Sequence, residues 1–373
     1  MSRVLLLSDE EARGLLWCAK SGGHTVFVAG DAARNRALSV SPKCDGFFGL
    51  PPELSFAEAS PELAEEVLRV VLRENIEVVV PSSFESLKFL VLHRARFEQV
   101  TRLVPLSDLS IIETLDDKFK FYEFCVEHGL PHPRSLLLAS AEDLESGQIE
   151  SLEFPLLSKP LLGAGEKGIE KFESLSALRS RVKNAEPGFF PVLIQEWFEG
   201  EDIDFNGYAL HGKVAVWSVM KTTYFGPSAE PVRLTQFVRN ERVEALGRQI
   251  VERAGFTGPL NVDMRIRKSD GQVLLIEVNP RFWHRSVTSL IDGLNFVDAA
   301  IRLSTDPAWR ASSKCEEVEW ASSIGLLLRS AILQRNKEAW QHLSRLSGVQ
   351  LRYQLHDKAV NLLARARATL RPA

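Results

Sequence analysis

Sulfur chemistry has little to work with in this chain. Its four cysteines, Cys18, Cys44, Cys125 and Cys315, are widely scattered, with no CxxC pair and no short disulfide-like spacing. That excludes a zinc ribbon or a disulfide framework, and reduced thiols are expected. Long apolar runs are also missing. The N-terminus offers only Val4 to Leu7 before two acids, which is too short for a signal peptide or an anchor, and no later run approaches a membrane span. A cytoplasmic location is the expectation from these absences. Charge of one sign is missing as well: 45 basic against 49 acidic residues leave a formal charge of -4, so there is no global field for nucleic acid and any anion site must be local. The first apolar run leads into Ser8-Asp9-Glu10-Glu11, which suits a helix cap but lacks the glycines of GxGxxG. A dinucleotide pyrophosphate site is therefore not expected.

What is present is length and alternation. With 373 residues, 45% of them hydrophobic, the chain can build two or three cores. From Val4 to about Glu98, short β-branched runs alternate with helical periodicity: Val4 to Leu7, a helix near Glu10 to Ser21, a strand from His24 to Gly30, a helix from Pro61 to Asn75 and a buried strand from Ile76 to Pro81. This βαβ rhythm predicts an α/β lobe with a parallel sheet, structural or substrate-facing in role. Ser107 to Gly129 reads as a helical linker in two pieces, the second starting near Asp116-Asp117-Lys118. A strand-rich stretch follows to about Met220, then a helix from Glu241 to Ala254. Leu260 to Arg267 and Gln272 to Asn279 flank Ser269-Asp270-Gly271, a hairpin signal.

That hairpin carries the most informative residues. Glu277 and Asn279 lie two apart on a strand and share a face, and the partner strand can bring Asp263 beside them. Two carboxylates and an amide oxygen suit Mg²⁺, which takes few protein ligands and completes its octahedron with phosphates and water. Arg281 follows at the strand end, where a guanidinium can grip a phosphoryl group bidentately. The alternative is the solvated face of an ordinary hairpin.

At GPLNVDMR and LIEVNPRFW the sequence resembles the metal-binding hairpin of the ATP-grasp superfamily, in particular carbamoyl-phosphate-synthetase-like and amino-acid-ligase-like members. The resemblance runs back through the chain in order. Lys118 in DDKFKFYEF matches the family lysine near the lobe junction, and Lys159 in LLSKP the lysine on the strand before the phosphate loop. The loop would be Gly163-Ala164-Gly165-Glu166-Lys167-Gly168, whose Gly163, Gly165 and Gly168 let backbone amides approach phosphate. Gln195 and Glu196 resemble the adenine-contacting hinge strand, and Asp202 stands where the family places its ribose-binding acid. Two departures are Glu166, where many members have serine, and His284-Arg285, where small residues are common.

The resemblance implies a Rossmann-like N-terminal lobe followed by a two-subdomain ATP-grasp fold: 1–106 before the ATP-grasp domain, 107–305 within it (lid about 130–198, metal-binding part about 199–305), and a C-terminal extension over 306–373. It implies ATP with Mg²⁺, Mn²⁺ being a substitute, and attack of a small-molecule carboxylate on the γ-phosphate to give an acyl phosphate that an amine, an amino acid among the candidates, or a thiol then takes, with a dipeptide or amino-acid amide as the expected product. Lys118, Lys159, Arg281 and the metal would offset the charge of transfer, Lys159 and Arg281 as the catalytic pair. No residue stands out as a general base. A kinase acting on a hydroxyl and a nucleotide-binding module without turnover are the alternatives, and a homodimer stays open. Lys221, Arg233 and Arg239 are further cations that could meet an anion or face solvent. The basic stretch from Arg329 onward reads as one or two helices packed on the core with a solvated face, the alternative being a basic tail that meets an anionic partner or a membrane surface.

Overall fold

A computed structural model of the chain describes residues 1–8, 12–163, 168–226, 231–283, 285–315 and 318–370. Runs of Val, Ile and Leu without polar interruption are buried on both faces, which is the condition of a parallel sheet covered by helices. Accordingly β1 (Arg3–Ser8), β2 (Thr25–Asp31), β3 (Gly46–Leu50), β4 (Val78–Pro81) and β5 (Arg102–Leu103) form a parallel sheet in the order β3-β2-β1-β4-β5. Helices α1 (Arg13–Ser21), α2 (Arg36–Ser39), α3 (Pro61–Arg73), α4 (Phe84–Leu92) and α5 (Arg94–Phe97) complete this lobe. α3 starts where Ser60 accepts from the Leu63 N–H and Pro61 pre-sets the first turn. Of the expected cap of α1, Ser8 ends β1 and residues 9–11 lie outside those described, while the cap position is taken by Ala12, which has no side-chain acceptor. Strand β3, GFFGL, was not anticipated, because two glycines break the apolar pattern of this edge strand. The direction of chain progression reverses between β1 and β4, so the loops leaving their C-terminal ends diverge and open a crevice there.

The two-piece linker consists of α6 (Leu109–Asp116) and α7 (Lys118–Glu127). They break at Asp117, whose extended backbone ends one helix while its carboxylate caps the next through the Phe119 and Lys120 N–H groups. Asp116 and Lys118 therefore sit on either side of a kink. Next, β6 (Ser135–Leu138), β7 (Leu156–Pro160), β8 (Glu170–Phe172) and β9 (Val192–Glu196) make an antiparallel sheet in the order β6-β9-β7-β8, covered by α8 (Leu175–Lys183). This unit has its own core of Leu138, Leu156, Leu178, Val182 and Ile194, separate from the main core, so displacing it as a body exposes little apolar surface.

The third sheet is built from β10 (Gly200–Leu210), β11 (Lys213–Phe225), β12 (Val232–Val238), β13 (Gly258–Arg267), β14 (Val273–Asn279), β15 (Ala311–Ser312) and β16 (Glu319–Ala321), in the order β14-β13-β10-β11-β12-β16 with β15 beside β11. Helices α9 (Glu241–Arg253) and α10 (Phe296–Leu303) pack on it. Gly247 of α9 lies directly over the buried Phe205 ring, where an added Cβ would stand 2.4 Å from ring carbons. Gly247→Ala should therefore destabilise the fold by about 1–3 kcal/mol through overpacking. Its thermal midpoint should drop by several degrees in scanning fluorimetry; an unchanged midpoint would mean that the helix lifts from the sheet without cost.

Three C-terminal helices, α11 (Ile324–Leu333), α12 (Lys337–Ser344) and α13 (Gly348–Leu370), stand where one or two were expected. α13 ties the two ends of the chain: Asp357 pairs with Arg13 at 2.6 Å, and Tyr353 packs its ring against both Trp17 and Trp320. The four cysteines are unpaired, as anticipated. No helix among the described residues is long and apolar enough to cross a membrane.

Candidate active site

Register places the hairpin's polar residues in two rows across three strands. Asp263 of β13 lies between Glu277 of β14 and Asp204 of β10, and Asn261 lies between Asn279 and Asn206. The amide row is oriented by its own hydrogen bonds: Asn279 Nδ2 donates to Asn261 Oδ1 (3.1 Å) and Asn261 Nδ2 to Asn206 Oδ1 (3.2 Å). Asn279 therefore turns its oxygen away from the row, where Arg281 Nη2 donates to it at 3.0 Å. In the acidic row, burial and then the neighbouring charges of Asp204 and Glu277 push the Asp263 carboxyl well above its ordinary range. Asp204 is raised by burial too, against the opposing pull of Arg285, whose Nη2 lies 3.0 Å from it. Adjacent carboxylates that disfavour one another's ionisation are what a divalent cation relieves. Among the described residues no group of three or more His, Cys, Asp and Glu side chains is placed to hold a metal ion, so a cation here would need the mixed set of Asp263, Glu277 and the Asn279 oxygen.

Two buried lysines face this corner. Lys118, held 8% exposed by the kink, lies 3.4 Å from Glu277 Oε2 and donates to the Gly163 carbonyl at 3.0 Å. One ammonium thus joins the glycine loop to the hairpin. Lys159 on β7 is 5% exposed and donates to Gln195 Oε1 at 2.6 Å; Gln195 in turn donates to Ser135 Oγ at 3.1 Å. Burial draws the Lys159 ammonium down to about 8, with Lys118 and Arg265 adding to the effect and Glu277 and Asp263 opposing it. Only one of its three N–H donors meets Gln195, so the others remain for a ligand. Gly168 has φ +77, and a Cβ there would stand 2.8 Å from the Pro160 ring, so this return of the loop requires glycine. Gly165, with Glu166 and Lys167, lies outside the described residues, as does His284.

The remaining expected residues fall less centrally. Glu196 turns to the opposite face of β9 from Gln195, accepting from the Glu153 N–H at 2.9 Å with Arg134 at 3.6 Å. Asp202 shares the Asp204 face and pairs with Arg265 across the strands at 3.2 Å. Lys221 pairs with Glu201 at 2.7 Å on the exposed side.

Beside the hairpin a cavity of about 600 Å³ opens at the reversal point between β1 and β4. Ala12, Leu15, Ser83 and Glu85 line it from the N-terminal lobe, facing Asp116, Arg281 and Trp283 from the other side. The lobe therefore supplies one wall of this cavity. Residues given no site role from the sequence are Asp204, Arg285, Asn206, Asn261 and Asp116. The D-x-D alternation of Asp202 and Asp204 was a signal for the first; the others depend on cross-strand register or on the kink.

The model of the ATP-grasp domain matches residues 115–284, which include both lysines, the loop and the hairpin. D-aspartate ligase of Enterococcus faecium (strain Aus0004) is 28% identical over 217 residues, covering 52% of this chain and 50% of that protein. The chain spans about half the length of such relatives. Among solved structures, the biotin carboxylase domain dimer of Hydrogenobacter thermophilus 2-oxoglutarate carboxylase, in complex with MgADP, ADP and bicarbonate, superposes with a TM-score of 0.66 at 17% identity, covering 86% of this chain and 73% of that one. L-amino acid ligase from Bacillus licheniformis gives a TM-score of 0.62 at 19% identity, with 81% of this chain and 74% of that one covered. At these identities the structural likeness speaks to the fold alone. The sequence match over residues 115–284, with a glycine-rich segment between a buried lysine and the carboxylate–amide hairpin, makes that part of the chain similar to the ATP-grasp domain.

Proposed function

We propose that the chain is an ATP-dependent ligase that activates a small-molecule carboxylate as an acyl phosphate and joins it to an amine. The observation carrying this reading is the convergence of Lys118, Lys159, Arg281 and the Asp263, Glu277, Asn279 set beside one substrate-sized cavity. Lys159 and the glycine loop hold the phosphates, and Gln195 fixes the Lys159 ammonium in place. Lys118 couples the loop to the hairpin, so closure of the lid and completion of the phosphate site are one event. Arg281, between Asn279 and the cavity, meets the transferring phosphoryl group from the acceptor side. Asp263, Glu277 and the Asn279 oxygen would hold Mg²⁺, or Mn²⁺ in its place, which when bound offsets phosphate charge. Lys118, 3.4 Å from Glu277 Oε2, helps to position that carboxylate. The reading also places the enzyme in the cytoplasm, where ATP is supplied.

The test is the fate of ATP. With the correct carboxylate, ADP and phosphate should form and AMP should not, and hydroxylamine should trap the acyl phosphate as a hydroxamate. The D-aspartate ligase relative puts amino-acid carboxylates of both hands first in the panel. A phosphorylated hydroxyl product without free phosphate would select a kinase instead, and AMP with pyrophosphate would overturn the reaction class.

A further inference from the structure

The cavity has an acidic side that phosphate binding leaves unexplained. Glu85, in the first turn of α4, and Asp116, the last residue of α6, both line it. Among the described residues neither carboxylate has a hydrogen bond or an ion pair, although Asp116 is half-buried. Charged groups reach Asp116 from every side: Arg281 and Lys118 favour its ionised form, while Glu277 and Glu85 oppose it. The guanidinium of Arg281 donates to Asn279 Oδ1 and the Phe282 carbonyl and, among the described residues, forms no ion pair with either carboxylate. A third feature lies in the same wall. Trp283 is 6% exposed, lines the cavity, and its indole N–H finds no acceptor among the described residues. An acceptor brought by an occupant would satisfy such an orphaned donor.

We propose that this cavity receives the amine-bearing substrate, with its ammonium between Glu85 and Asp116, and that Asp116 takes the proton that frees the nitrogen lone pair. The occupant that answers all three groups carries an ammonium together with an oxygen acceptor, which is the chemistry of an amino acid. The proposal rests on the ligase reading above. In the step, the ammonium loses one proton to the Asp116 carboxylate. The nitrogen then attacks the acyl carbon, the C–N bond forms, and the bond from that carbon to the phosphate oxygen breaks. The second proton leaves with the phosphate as hydrogen phosphate. Burial holds the Asp116 carboxyl up at about 6, which suits a group that must accept a proton near neutral pH. Its place on the cavity wall, one residue before the kink, gives it a fixed position against the acyl phosphate gripped by Arg281.

Two nucleophiles separate this role from activation of the carboxylate. The twenty common amino acids, with D-alanine and D-aspartate, are offered as carboxylates with MgATP at mildly alkaline pH, first with hydroxylamine, which is uncharged there, and then with the same amino acids as amines. Asp116→Asn should form hydroxamate at close to the wild-type rate and form amide roughly 100-fold more slowly. Asp116→Glu should recover part of the amide rate, with its acidic limb moved along the pH axis. Glu85→Gln should raise KM for the amine several-fold and leave kcat little changed, because the exposed Glu85 binds without moving a proton. Equal amide rates for Asp116→Asn and wild type would overturn the proposal. Loss of hydroxamate and amide together would overturn it too, by assigning Asp116 to activation or folding. Absence of hydroxamate from wild type with every carboxylate would instead remove the ligase reading on which it stands.

Discussion

Glu277→Gln is expected to leave a folded protein whose metal-dependent ATP turnover falls by at least about 100-fold, the loss that follows removal of one preorganised charge from a phosphoryl-transfer site. Glutamine keeps the shape and the strand pairing but abolishes the anion that faces Lys118 at 3.4 Å and Asp263 across the register. Two effects act together. A hard cation loses one of its two carboxylates, and Lys118 loses the partner that holds it between loop and hairpin while keeping the Gly163 carbonyl. Asp263 loses one of the two like charges that raise it, so its carboxyl should ionise more readily and partly restore affinity at high Mg²⁺. ADP release titrated with Mg²⁺ should therefore show a large rightward shift as well as a lower plateau. Wild-type turnover in limiting Mg²⁺ would remove Glu277 from the cation site.

Lys159→Met should weaken ATP by about 10- to 150-fold and leave adenosine nearly unchanged, because a charged hydrogen bond to phosphate is worth about 1.5–3 kcal/mol and adenosine never makes it. Calorimetric titration with both ligands decides the matter, and equal loss for both would mean that the variant disturbs the fold. The pH dependence has a definite sign. Burial has lowered the free enzyme's Lys159 to about 8, so the ammonium is present below that value and is lost as pH rises through it. ATP affinity should fall on the alkaline side of about 8 for this reason. Lys159→Arg, which keeps its charge there, should flatten that limb even if the longer side chain lowers affinity overall. An unchanged alkaline limb in the arginine variant would assign it to another group.

Short-range pattern carried most of the architecture. Uninterrupted Val and Leu runs between helical stretches made the parallel N-terminal sheet legible, and Asp270-Gly271 between two apolar strands made the hairpin legible, because both depend on residues within one or two elements. The face shared by Glu277 and Asn279 follows from the period of a strand and needs no tertiary information. The order of lysine, glycines and hairpin along the chain pointed to the superfamily. Other features depend on which elements become neighbours. That Asp204 extends the acidic row, and that Asn261 and Asn206 orient Asn279, is decided by the pairing of β10 with β13, which joins residues more than fifty positions apart. The neutral partner of Lys159 is set by the pairing of β7 with β9, and its lowered proton affinity by the depth at which that sheet buries it. The acidic wall of Glu85 and Asp116 exists because the reversal point of the first sheet meets the kink before Lys118. Local sequence by itself determined most of the secondary structure, the strand faces and the roster of groups proposed to bind phosphate; only the tertiary fold decided charge environment and cavity walls, since desolvation and Coulomb interaction are set by distance in space rather than along the chain.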